Sequence, residues 1–193
     1  MNLAAIQEKL SHFTVGIAGA GGLGSNCAVA LARVGIGRLI IADFDIVSAS
    51  NLNRQYYFHD QVGQLKVNAL KENISRINPQ VKMDIYAEKL SKINMLQIFK
   101  TCDVMIEAFD LAEMKQMLAE TWLEFFPHVP LVMGVGMAGW GDNHSIRTIQ
   151  YGNLYICGDQ KSEIADDLPA LGPRVAMVAN MQANTVLEIL LKK

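Results

Sequence analysis

Cysteine is scarce and poorly placed for bonding. The 193-residue chain holds three, Cys27, Cys102 and Cys157, odd in number, far apart and with no Cys-x-x-Cys pair. That distribution argues against both a disulfide framework and a four-thiolate zinc site, so no zinc is expected and a reducing cytoplasm is the expected compartment. Charge of a single sign is missing as well. Seventeen basic and nineteen acidic residues are dispersed to a net −2, which leaves no polybasic surface for nucleic acid or anionic lipid. Long apolar runs are also lacking: Val175 to Leu191 is interrupted by Asn180, Gln182, Asn184 and Glu188, so no membrane span is expected. The opening MNLAAIQEKLSHF lacks the basic, apolar and small-residue succession of a signal peptide. His12, His59, His128 and His144 are scattered and form no catalytic or metal-binding cluster. Only five prolines, no low-complexity tract and no repeat are present, while 51% of residues are hydrophobic. The expectation is one globular domain over residues 1–193 with its own core.

Within that domain, strand-like and helix-like patterns alternate. Phe13 to Ala18 is β-prone and runs into glycines; Gly22 to Val34 carries Ala, Leu and Val at helical spacing; Arg38 to Ala42 is a short continuous apolar run of the kind buried on both faces. Asp43 to Asp60 reads as a loop, Val62 to Ile77 as a helix stopped by Asn78-Pro79, and Val81 to Tyr86 as a third strand. Further strands are predicted over Cys102 to Phe109 and Val129 to Val135, with a helix over Leu111 to Phe126 between them. Ser145 to Gln150 and Asn153 to Cys157 are candidate strands, Gly158 to Gly172 a polar loop and Pro173 to Lys192 a long terminal helix. This order predicts an α/β fold: a Rossmann-like, doubly wound, largely parallel sheet with mixed C-terminal strands, its ligand site beyond the strands' C-terminal ends.

Gly19-Ala20-Gly21-Gly22-Leu23-Gly24 fits G-x-G-x-x-G between a predicted strand and a predicted helix. Glycines there let the backbone approach a phosphate, and the helix start stabilises the anion. Asp43 ends the second strand, where a carboxylate accepts hydrogen bonds from ribose hydroxyls. To this point an NAD-dependent and an ATP-dependent protein read alike. A triphosphate needs further cations, and Arg54 with Lys66, on the loop and helix after Asp43, supply them.

GAGGLGSN at 19–26, GIGRLIIADFD at 35–45, SNLNRQ at 50–55, VGQLK at 62–66, RINP at 76–79 and Asp110 together resemble the ThiF/MoeB-type adenylyltransferases, relatives of the ubiquitin-activating enzymes. The short ThiF-like branch associated with thiamine biosynthesis is the most similar. The resemblance implies ATP- and Mg2+-dependent adenylation of the C-terminal glycine carboxylate of a small ubiquitin-like, ThiS-like sulfur carrier, with release of pyrophosphate. It places Gly19, Gly21 and Gly24 at the phosphates, Asp43 at the ribose, and Asn51, Arg54 and Lys66 at the triphosphate, with Gly22, Asp45 and Gln55 among the remaining nucleotide-binding residues and Arg54, Lys66 and Asp110 as the catalytic set. Asp110 would hold magnesium, although an Asp before Leu111-Ala112-Glu113 is also a good helix cap. Cys157 is a possible sulfur-transfer thiol by position, or a small buried residue at a strand end, and Cys27 and Cys102 fit core patterns. Met1 to Thr14 contains no arginine, where longer relatives carry an Arg-containing arm. An NAD-binding redox module and a non-catalytic partner subunit of the same fold are the alternatives. Two further expectations complete the reading. Gly134 to Gly141 and the 158–172 loop receive the carrier's tail, and the apolar residues around the terminal helix need a second copy as cover, giving a homodimer.

Overall fold

Alternation of short buried strands with amphipathic helices gives a three-layer α/β arrangement. A computed structural model describes residues 1–193. The elements run α1 (Leu3–Leu10), β1 (Thr14–Ala18), α2 (Gly22–Arg33), β2 (Arg38–Ala42), α3 (Lys66–Ile77), β3 (Lys82–Tyr86), α4 (Lys92–Ile98), β4 (Val104–Glu107), α5 (Ala112–Phe125), β5 (Leu131–Gly134), β6 (Arg147–Tyr151), β7 (Leu154–Gly158) and α6 (Gly172–Lys192). All seven strands form one sheet in the order β3-β2-β1-β4-β5-β7-β6; every pair is parallel except β6 with β7. The Rossmann-like class with mixed C-terminal strands is therefore the observed one. In register, Ile17 faces Ile41 on one side and Ile106 on the other. These central strands are covered on both faces, which explains why they read as unbroken apolar runs.

One face carries the larger apolar cluster, built by α2, α3 and α6 with residues such as Leu31, Leu70 and Val186; the other holds α4 and α5, where Trp122 and Phe99 are fully buried. Strand order reverses between β1 and β4, and the crevice at that switch point is where such sheets bind ligands.

Several expected boundaries shift. The helix expected from Val62 starts at Lys66, because His59–Gln61 form a 3-10 turn and Gly63 adopts φ +92°. Two helices are additional: α1, and the seven-residue α4, whose Ser91 and Asn94 form a capping box. The terminal helix corrects the argument made for a homodimer. Its surroundings are supplied by the chain itself: α6 lies along α2 and against β5 and β7, and Lys9 of α1 donates to the Leu191 carbonyl at 3.0 Å. The side facing outward is Met177, Asn180, Asn184 and Glu188, mostly polar, so this helix calls for no second copy.

Candidate active site

The turn after β1 is shaped by glycines that nothing else replaces. Gly19 has φ +100°, and a Cβ there would lie 2.7 Å from the Ala108 carbonyl oxygen. At Gly24 a Cβ would meet the Gly19 carbonyl oxygen at 1.9 Å. Gly24 therefore serves close packing of α2 on the turn and does not line the cavity, correcting its expected place at the phosphates. Gly19, Gly21 and Gly22 do line it. No side chain caps α2 at Gly21, so the amides of its first turn are left for an anion.

Asp43 holds this turn against the next loop: one carboxylate oxygen accepts the Ala20 amide at 2.6 Å and the other the Asp45 amide at 2.8 Å. Burial raises its pKa above the usual carboxylate value, against the opposing pull of those two amides and Lys66. Each oxygen keeps a lone pair for a hydroxyl donor. Below the turn the Tyr57 hydroxyl donates to the Ala20 carbonyl at 2.6 Å, and burial with the nearby Asp43 and Asp45 keeps that phenol protonated.

The loop following β2 returns its cations to the same place. Asn26 on α2 donates to the Arg54 carbonyl at 2.9 Å, tying the loop to the glycine turn. The Arg54 guanidinium donates to the Ser50 carbonyl and to Asn53 Oδ1 at 3.1 and 2.8 Å. Lys66 is the first residue of α3; its side chain is 7% exposed, and Nζ donates to Asp45 Oδ2 at 2.8 Å. Arg54, Gln55, Asp45 and Lys66 all line the cavity, and the buried Gln55 Oε1 has no partner. Asn51 does not line it. Its side chain accepts the Ser48 amide at 3.1 Å and closes a 3-10 turn, while Asn53 stands at the cavity.

From the other side of the switch point comes Asp110, exposed on the cavity wall and without a hydrogen bond. The alternative role as a helix cap is not taken up: the cap of α5 is Leu111, with no side-chain bond. Beneath it lies a group missed by the sequence reading. Glu107 is fully buried, and Lys115 Nζ donates to both of its oxygens at 2.9 Å and to the Gly134 carbonyl at 2.8 Å. Burial pushes the Glu107 pKa up, opposed by Lys115. With three bonds made, Lys115 has no donor left for a ligand, so it ties β4, α5 and β5 together.

Cys157 stands apart from these residues. It is completely buried between Thr148 and Thr185, its sulfur 3.5 and 3.6 Å from their hydroxyls, and burial raises its thiol pKa. A protonated, inaccessible thiol is no sulfur-transfer nucleophile, which corrects that expectation. Cys27 and Cys102 are buried core residues. No group of three or more His, Cys, Asp or Glu gathers at metal distance.

The whole forms an open cavity of about 860 Å³ at the C-terminal ends of β1, β2 and β4. Its far wall is Met137 with Ile164–Asp166 and Pro169–Ala170, from the loops after β5 and β7. Glycines in the first of these loops were expected to expose backbone to a passing tail. Instead Gly134 packs on Leu23 and Gln182, Gly136 on Asp159 and Gly139 on Leu168, leaving only Gly141 of the four with open space.

The ThiF family profile matches residues 3–193. The adenylyltransferase and sulfurtransferase MOCS3 of Caenorhabditis briggsae is 31% identical over 96% of this chain and 48% of its own length. A probable molybdopterin-synthase adenylyltransferase of Porphyra purpurea is 35% identical over 61% of this chain and 31% of its own. This chain thus spans about half or less of these curated relatives. Among solved structures, the Escherichia coli tRNA N6-threonylcarbamoyladenosine dehydratase TcdA in complex with ATP superposes with a TM-score of 0.87 at 21% identity, over 97% of this chain and 89% of that one. Escherichia coli MccB with AMPCPP and MccA gives 0.74 at 22% identity, over 97% and 58%. At these identities the structural likeness carries the fold.

Proposed function

The chain belongs to the ThiF family, and from that premise we propose that it is an ATP-dependent adenylyltransferase acting on the C-terminal glycine carboxylate of a small ubiquitin-like sulfur carrier. The observation that carries the reading is the convergence, on one cavity, of an uncapped helix start, Asp43, and the two cations Arg54 and Lys66. A dinucleotide's pyrophosphate needs the first of these. Asp43 suits the ribose of either nucleotide, and it is the two cations that suit a triphosphate, whose β and γ groups require added positive charge.

In this reaction the carrier carboxylate attacks the α-phosphorus and pyrophosphate leaves. The protein's contribution is alignment and neutralisation rather than a covalent nucleophile, consistent with three buried cysteines. Lys66 is held ready by Asp45, and the triphosphate competes with that carboxylate for the ammonium. Arg54 is held by a carbonyl and an amide oxygen, both neutral, which leaves its charge for the nucleotide. Asp110 fits a magnesium site of the kind in which one protein carboxylate is completed by phosphate oxygens and water, since it is exposed to the cavity and unpaired. Bound there, the metal supplies charge neutralisation of the departing pyrophosphate. The carrier's tail enters along the Met137, Ile164–Asp166 and Pro169–Ala170 wall.

Carrier-dependent exchange of labelled pyrophosphate into ATP tests the proposal. Resemblance to the short ThiF-like branch puts a thiamine-type carrier first in the panel; the Porphyra relative's name puts a molybdopterin-type carrier second. Exchange with neither, together with tighter binding of NADH than of ATP, returns the site to a redox module.

A further inference from the structure

The far wall of the cavity is made of two loops with few buried apolar side chains, yet they are held in one arrangement. Arg174, in the first turn of α6, and Asp159, just after β7, form an ion pair whose side chains are 6% and 5% exposed. Asp159 uses all of its capacity: Oδ1 accepts the Lys161 and Ser162 amides at 2.8 Å, and Oδ2 accepts the Ser162 hydroxyl at 2.7 Å and Arg174 Nη2 at 2.6 Å. Arg174 then reaches the other loop, donating to the Gly141 carbonyl and, at 3.4 Å, to Ser145 Oγ. Ser162 Oγ accepts the Ala138 amide at 3.0 Å, and the Gly139 amide donates to the Pro169 carbonyl at 2.9 Å. At Gly136 a Cβ would lie 2.0 Å from Asp159 Oδ1, so the close approach itself requires glycine.

Two features indicate a pair kept for geometry. Arg174 Nε is buried without a partner, a desolvation cost that a well-packed apolar residue would avoid. The guanidinium also bridges two separate segments with different nitrogens, which a lysine's single ammonium does not reproduce. Neither Arg174 nor Asp159 lines the cavity, whereas Met137, Pro169, Ala170 and Val175, beside the clamped positions, do.

We propose that Arg174 and Asp159 are positioning residues for the acceptor side of the reaction, locking the loops after β5 and β7 to α6 so that the wall aligning the carrier's carboxylate is preformed. The proposal rests on the adenylyl-transfer reading. It separates the two substrates: nucleotide contacts come from the glycine turn and the loop after β2, and carrier contacts from the clamped wall.

The test compares wild type with Arg174→Met, Arg174→Lys and the charge-free pair Arg174→Met with Asp159→Asn, the last chosen because it leaves no buried charge unpaired. Affinity for a non-hydrolysable ATP analogue stays within about twofold of wild type in the paired variant. Its KM for the carrier in pyrophosphate exchange rises by roughly ten- to a hundredfold, and hydrogen exchange at Ala138, Gly139 and Ser162 accelerates in both loops together. Arg174→Lys restores protection at Ser162 but not at Ser145, whose amide bonds the Asp142 carbonyl in the loop that Arg174 holds. An unchanged carrier KM, or a fall in nucleotide affinity as large as the rise in KM, overturns the positioning role while wild-type turnover still supports the function. Absence of carrier-dependent exchange in wild type overturns the function, and this proposal with it.

Discussion

Replacing Lys66 by methionine removes one charge while keeping the length of the buried stem. The side chain is 7% exposed, and its partner Asp45 is half exposed at 50%. Freed of Lys66, Asp45 hydrates, so the lost ion pair costs the fold little, below about 1 kcal/mol once solvent screening is counted. Methionine fills the volume left by the lysine stem. Against a triphosphate the same change deletes a charge-assisted hydrogen bond in a largely enclosed position, worth about 1.5–3 kcal/mol. At about 1.4 kcal/mol per decade, carrier-dependent pyrophosphate exchange falls by roughly ten- to more than a hundredfold. The assay is exchange of labelled pyrophosphate at saturating carrier, run beside a thermal melt of the same preparation. A variant that melts within a few degrees of wild type and exchanges at a near-normal rate would refute the triphosphate role of Lys66. A variant that loses exchange only by unfolding would refute the assignment of Asp45 as a solvated partner.

Gly24→Ala drives a Cβ to 1.9 Å from the Gly19 carbonyl oxygen, so a loss of about 1–3 kcal/mol is expected in denaturant melts; an unchanged midpoint would mean that α2 shifts freely. Asp110→Asn leaves the melting temperature as it is, because the carboxylate makes no bond, but weakens the magnesium dependence of exchange, which a magnesium titration reads. Native protein gives no reaction with a thiol reagent and denatured protein gives three equivalents, since all three cysteines are buried and burial pushes Cys102 up to about 12; rapid labelling of the native chain would contradict this. Although burial by itself would raise it, Asp159 is held well below the usual carboxylate range by the Ser162 and Lys161 amides, Arg174 and the Ser162 hydroxyl. Its native state therefore favours the ionised form: the stability difference between wild type and Asp159→Asn is constant from pH 5 to 8 and shrinks as pH falls below about 4, the unfolded value.

The β1–α2–β2 unit was legible because three signals coincide there: glycines at fixed spacing, a helix of small apolar residues and a strand of unbroken apolar character. The same clarity marked β4 and β5, which are covered on both faces. In the loop after β2 the place of Asn51 came from the family resemblance, whereas the structure puts Asn51 in a 3-10 turn and Asn53 at the cavity. Spacing does not tell which asparagine closes the 3-10 turn and which turns to the cavity. α4 escaped because seven residues give barely two turns of periodicity, although Ser91 and Asn94 at capping spacing carried the signal. Around α6, composition identified apolar residues on several faces but not what covers them; α1, α2 and the sheet do so, a long-range outcome invisible to a local pattern. Asp159 and Arg174 were unremarkable in sequence for the same reason, since their pairing spans fifteen residues and two loops.

Adenylation itself is read most directly from the intact mass of the acceptor. With the chain, ATP, magnesium and a ubiquitin-like sulfur carrier ending in glycine, the account predicts a carrier species heavier by one adenylyl group at its C-terminal carboxylate. That species forms roughly ten- to more than a hundredfold more slowly when Lys66 is methionine, and hydroxylamine discharges it. A carrier panel that stays at its starting mass while the chain binds ATP normally would contradict the account.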